Sequence, residues 1–216
     1  MPAPSITASG IILRTRPLTE TSLIVHWITS DLGRMSTVAK GARRAKSPFR
    51  GKLDLFYQAD FSFQRSRRSE LHLLREASLR TTHPALRRDL DYLRQAAYAA
   101  ALVEQTTETE TPLDGIFELF SDLLTQLPAT PANPLTVLSF ELCLLERLGQ
   151  SPDFAASRLS AGSVELAQSL CGQGAPLDSK PGVEQLRELR RFLHGFLTQH
   201  LGRVPSSRTP ALLTPA

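Results

Sequence analysis

A change of hydrophobic period near Pro84 constrains this fold more than any other feature of the 216-residue sequence. Upstream, Gly10–Arg16, Ser22–Thr29 and Arg34–Ala39 are short runs rich in apolar, β-branched and aromatic residues, with a turn signal at Asp31-Leu-Gly-Arg. Leu53, Leu55, Tyr57, Ala59, Phe61 and Phe63 then alternate with Asp54, Gln58, Asp60, Ser62 and Gln64. That is the period of a half-buried strand, and Phe56 is its one break. A fifth strand is expected near Glu70–Leu79. Five short strands within about 80 residues fit a small barrel, with the OB-fold as the natural candidate and an SH3-like barrel or a sandwich fragment as the alternatives.

Downstream of Pro84 the apolar spacing becomes helical, at Leu86, Leu90, Leu93, Ala97, Ala100 and Ala101. Helices are expected over Leu113–Leu127, Leu135–Leu148 and Val183–Leu201. The last presents one stripe of Val183, Leu186, Leu189, Leu193, Phe196, Leu197 and Leu201. Ser151–Pro181 reads as short helices and loops. The fold class is therefore α+β: a five-stranded barrel domain over residues 1–82, a helical bundle over 83–205, and a loose tail over 206–216.

Charge divides along the same line. Residues 1–80 carry 14 Lys and Arg against 6 Asp and Glu, whereas residues 81–150 carry 4 against 10. Such asymmetry suggests a basic binding module joined to a part with another task. The basic excess concentrates in Lys40–Lys52, where Lys40, Arg43, Arg44, Lys46, Arg50 and Lys52 occur with no acid, two glycines and a proline. A basic, flexible loop on a small β-domain suits a polyanion, above all nucleic acid, although a solvated surface loop has the same composition. Arg14, Arg16, Arg34, Arg65, Arg67 and Arg68 extend the patch if they share its face. Trp27 and Phe49 are the candidate platforms for stacked bases. Trp27 fits a strand core better, and Phe49 could equally pin the loop to the barrel.

The helical part offers little chemistry. Histidines 26, 72, 83, 194 and 200 show no nucleophile or metal spacing, and Glu108 and Glu110 read as a solvated helix end. Glu141 and Glu146 flank Cys143 on different sides of a helix. Arg187 and Arg191 stand three residues after Glu184 and Glu188, which favours surface ion pairs over an anion site. No phosphate-binding glycine loop, zincin motif or carboxylate pair is present, so no enzyme is expected. Cys143 reads as a core residue, and a disulfide to Cys171 is disfavoured. No run of about 18 apolar residues and no secretory signal occurs, so a cytoplasmic protein is expected.

Several motifs then resemble the RecO recombination-mediator family. They are Thr19-Glu-Thr-Ser-Leu-Ile-Val, Gly33-Arg-Met-Ser-Thr-Val-Ala-Lys-Gly-Ala-Arg-Arg, Leu71–Glu76, Phe140-Glu-Leu-Cys-Leu-Leu-Glu-Arg-Leu-Gly, and the ending His200-Leu-Gly-Arg-Val-Pro-Ser-Ser-Arg. The similarity runs in order through nearly the whole chain. It implies an N-terminal OB-fold, a C-terminal helical bundle, binding of single- and double-stranded DNA in the nucleoid, and annealing of complementary strands. It also implies partnership with RecR and with the C-terminal tail of the single-stranded-DNA-binding protein, so that RecA can load. A groove along Leu135–Leu148, at Leu138, Leu142 and Leu145 with Arg147 nearby, is the expected seat of that tail, although such a stripe is as often buried core. Many members of the family hold zinc through four cysteines. Here the matching region, roughly 151–174, keeps only Cys171, so no metal and no cofactor are expected. A protein–protein adaptor whose loop meets an acidic partner, and an RNA-binding OB protein, are the competing readings.

Overall fold

A computed structural model describes residues 5–172 and 181–213. The five strands are β1 (Ser5–Pro17), β2 (Leu23–Thr29), β3 (Arg34–Ala39), β4 (Gln58–Gln64) and β5 (Leu71–Thr81). They close into a barrel in the order β1-β2-β3-β5-β4, which is the OB arrangement. Every pairing is antiparallel except β3 with β5, which run parallel through Ser36–Leu71, Thr37–His72 and Val38–Leu73. Closure removes the free edges that an open five-stranded sheet would leave.

Alternation decides which face each side chain takes. Ile12, Val25, Trp27, Met35, Phe61, Phe63 and Leu74 fill the barrel. Ile11, Leu13 and Ile28 point outward and join the helical core. A bulge between Ile12 and Arg14 keeps Leu13 in that second core while Arg14 pairs in register with His26. The break at Phe56 now has its reason. β4 begins only at Gln58, and Phe56 lies in the turn before it with φ 65°. Its N–H donates to the Ile12 carbonyl at 2.9 Å, and its ring lies 6.4 Å from that of Phe120. A bulky residue in the left-handed region is strained, and here it gains burial against the helices.

A short 3-10 turn at Pro84–Arg88 leads into α1 (Leu90–Thr106), α2 (Ile116–Gln126), α3 (Pro134–Arg147), α4 (Ala161–Leu170), α5 (Val183–Leu201) and one final turn, α6 (Arg208–Ala211). α3 starts where its caps dictate. Pro134 takes the first turn, and the Asn133 side chain accepts from the N–H groups of Leu135 and Thr136. In α5, Leu189, Leu193 and Leu197 form the buried stripe, while Val183, expected to share it, is exposed.

The expected loose tail is corrected for residues 206–213. Ala211 and Leu212 are buried, and the Arg208 guanidinium reaches the buried Glu141 of α3, with Nε to Oε1 at 2.6 Å and Nη2 to Oε2 at 2.8 Å. The Tyr98 hydroxyl of α1 donates to the same carboxylate at 2.5 Å. Burial, then the Glu141 charge, pushes the Tyr98 hydroxyl pKa far up, so this hydroxyl remains a donor. Three elements distant in sequence thus meet in one polar cluster inside an apolar core.

Candidate nucleic-acid interface

The β3–β4 connection carries the six cations and is built from consecutive turns. Main-chain N–H groups of Ala42, Arg44, Ser47, Arg50 and Lys52 donate to the carbonyls of Ala39, Gly41, Arg44, Ser47 and Phe49. Phe49 is buried in the barrel core, so it pins the loop and offers no exposed ring. Arg43 braces the loop on the β1–β2 turn, its main-chain N–H bonding Thr21 and its guanidinium bonding the Thr19 carbonyl. The flexibility expected of this loop is therefore replaced by an ordered scaffold. Lys40, Arg43, Arg44, Lys46 and Arg50 are exposed on it, and Lys52 is half-buried.

The β4–β5 loop adds a second set. The Ser66 Oγ accepts from the N–H groups of Arg68 and Ser69, which folds Arg65–Ser69 into a tight turn with Arg65, Arg67 and Arg68 exposed. Lys40 and Arg65 line one depression at the barrel end with Leu18, Val38, Gln64 and Leu71. The structure thus brings part of the two basic loops together across about 25 residues of sequence.

Arg14 and Arg34 serve elsewhere, at the seam between barrel and α1, while Arg16 stays exposed on β1. Arg14 pairs with Glu104 of α1 at 3.3 Å, and Arg34 donates to the Thr107 carbonyl at 2.9 Å. All three surround His26, whose pKa is held at about 4 by burial first and by these guanidinium charges second. Trp27 is fully buried. It stacks on Phe61 at 4.2 Å, and its indole N–H donates to Thr37 at 2.9 Å, so it is core and not a base platform.

Two residues that the sequence reading set aside belong to the site. His72 of β5 accepts at Nδ1 from the Ser66 N–H at 3.2 Å, so its Nε2 carries the proton donated to the Glu110 carboxylate. Glu110 also pairs with Arg65 at 3.4 Å. No local pattern marks that contact, because its partners lie 38 and 45 positions apart and meet only through the fold.

In the helical body, Leu138, Leu142 and Leu145 are buried, so the docking stripe expected there is core. α3 is apolar nearly all round and packs on several sides, which is why its stripe cannot serve as a surface. Arg147 is exposed, and its guanidinium lies across Gly115, where an added Cβ would sit 2.8 Å from Nη1. An open groove beside that stripe runs between α2 and α3, lined by Leu119, Leu135, Thr136, Ser139, Cys143 and Leu170. Arg187 pairs with Glu184 at 2.9 Å as expected, whereas Glu188 binds the hydroxyls of Ser160 and Ser163.

Cys143 and Cys171 are free thiols. Burial raises both, and Cys171 is pushed up to about 11 by burial and then by Cys143. Two protonated thiols do not supply the four ligands of a structural zinc site. Among the described residues no group of three or more His, Cys, Asp and Glu is placed to hold a metal. Part of the segment matching the family's zinc region, residues 173–174, lies outside the described residues. No helix among the described residues is long and apolar enough to cross a membrane.

Comparison with known proteins matches both parts of the chain to one family. The family model for the N-terminal part of recombination protein O matches residues 1–83, and the model for its C-terminal part matches residues 87–174. The chain is similar to the DNA repair protein RecO of Anaeromyxobacter sp. (strain K), at 28% identity over 93% of each chain. It is also similar to the protein of that name from Rhodopirellula baltica, at 35% identity over 66% of this chain. That alignment spans about half (53%) of the Rhodopirellula protein's length.

Proposed function

The chain belongs to the recombination protein O family of DNA repair proteins, and we propose that it is a non-catalytic mediator that binds single- and double-stranded DNA and anneals complementary strands. The observation that carries this reading is the ordered, acid-free loop of Lys40, Arg43, Arg44, Lys46, Arg50 and Lys52, whose Lys40 shares a depression with Arg65 of the loop that also carries Arg67 and Arg68. Cations held on a scaffold neutralise phosphates and release counterions, with little sequence preference. The burial of Trp27 and Phe49 completes the argument for annealing. With no exposed ring on either candidate platform, a bound strand is held by its phosphates, and its bases stay free to pair. No covalent step is required.

Membership of the family supports a proposal for the partners. RecR and the tail of the single-stranded-DNA-binding protein are proposed to bind this chain, and RecA to load as a consequence. The open groove between α2 and α3 is the proposed seat of that tail in place of the buried Leu138, Leu142 and Leu145, with Arg147 on the neighbouring surface of α3.

The test is anisotropy of labelled single-stranded and duplex DNA at low and moderate salt, followed by an annealing assay with complementary strands. Micromolar or tighter binding that weakens with salt, together with accelerated annealing, is expected. Absence of binding at low salt overturns the reading in favour of an adaptor, and preference for RNA over DNA of equal length overturns it in favour of an RNA-binding protein.

A further inference from the structure

The connection between α1 and α2 leaves the helical body and lies against the barrel. Thr109 forms a parallel bridge with Arg34, and the Glu110 N–H donates to the Arg34 carbonyl at 2.7 Å. This docking holds Glu110 at φ 57°, in the left-handed region that a glutamate adopts only under constraint. The constraint delivers its carboxylate to the mouth of the β4–β5 loop. There it accepts from His72 and pairs with Arg65, in a depression also lined by Ser66, Arg67 and Arg68. Arg67 and Arg68 make no ion pair with a carboxylate among the described residues. In a depression that Glu70 also lines, the Glu110 carboxylate, bonded to Arg65 and to a donating imidazole, occupies the place of an anion.

We propose that Arg65, Arg67, Arg68 and His72 form a phosphate-binding subsite for DNA, and that Glu110 is its built-in competitor. The inference rests on the DNA-binding reading above and adds a regulated contact to it. A strand phosphate replaces the Glu110 carboxylate at the Arg65 guanidinium and the His72 Nε2–H, both of which donate to either oxyanion. The Arg65 pair is half-exposed, and pairs of that kind are weak, so a phosphate flanked by Arg67 and Arg68 displaces it readily. The main-chain bridge at Arg34 and Thr109 does not depend on the carboxylate, so docking of the connection and screening of the site are separable.

The experiment measures single-stranded DNA affinity by anisotropy for the full chain and for Glu110→Gln, Glu110→Asn, Arg65→Ala and the Glu110→Gln/Arg65→Ala pair. Asparagine tolerates the left-handed backbone, so it separates loss of charge from strain. Both Glu110 variants are expected to bind about two- to fivefold more tightly. Their salt dependence should steepen by about 0.7, as for one more neutralised phosphate. Removing Arg65 in the pair should abolish the gain. Unchanged or weaker binding by both variants, while the wild-type chain binds, overturns the subsite and leaves the DNA-binding reading standing. No binding by any of the four variants or by the wild-type chain overturns both. A gain toward polyglutamate in place of DNA assigns the site to an acidic protein partner and overturns the phosphate assignment.

Discussion

Arg208 closes a bidentate pair on Glu141, a carboxylate with no exposed surface, and Tyr98 supplies a third hydrogen bond to it. A buried carboxylate that loses its cation keeps its desolvation cost. Arg208→Ala is therefore expected to lower unfolding free energy by about 3–5 kcal/mol, read by urea denaturation. Glu141 is legible in the sequence only as one helical carboxylate among several, and Arg208 as one cation in a polar tail, because their contact spans 67 positions. Two histidines set the acid limit of stability. His26 titrates at about 4, from burial and then the charges of Arg14, Arg16 and Arg34, and burial lowers His83 as well. Both folded pKa values lie below the ordinary 6.5, so the unfolded chain binds protons that the folded chain refuses. Stability should be full above pH 6.5 and fall as pH drops from 6.5 toward 4, with His26 contributing at most about 3 kcal/mol. Thermal melts across that window test this, and Asn in place of His26 should flatten the slope.

At the scale of elements, the β3–β4 loop and the α1–α2 connection depend on anchors that carry no charge. Phe49 fixes the β3–β4 loop in the barrel core, so Phe49→Ala should cost about 3 kcal/mol in denaturant unfolding and weaken DNA binding by disordering the cations around it. Gly33 fixes the α1–α2 connection. It sits at φ 68° in the β2–β3 turn, and an added Cβ would stand 2.3 Å from the Thr111 carbonyl oxygen. Gly33→Ala should cost about 1–3 kcal/mol through the strained backbone and loosen the connection, visible as faster amide exchange at Glu110. The strands and helices were readable because period 2 and period 3.6 are local properties. The Leu53–Phe56 stretch was not: it mimics a strand in pattern, yet Phe56 turns toward α2 and Leu55 stays exposed. Leu138, Leu142 and Leu145 carried the opposite lesson, since a helix apolar on several faces is core before it is a groove.

In the whole molecule, the barrel and the helical body share a seam of Ile11, Leu13, Ile28 and Phe56, so the basic module is mounted rigidly on the acidic one. The charge asymmetry of the sequence announced two modules. It could not tell which cations are spent on the seam, as Arg14 and Arg34 are, and which remain outward, as Arg44 and Lys46 are. An ion pair and a hydrogen bond between residues about 70–90 positions apart leave no trace in local composition. The central claim is that the β3–β4 loop binds nucleic-acid phosphates. Its most direct test is the slope of log affinity against log salt for single-stranded DNA, measured for the wild-type chain and for Arg43→Ala/Arg44→Ala/Lys46→Ala. A weaker complex with a slope shallower by about 2, at unchanged melting temperature, is the predicted result. Equal affinity and equal slope in the two proteins would contradict it.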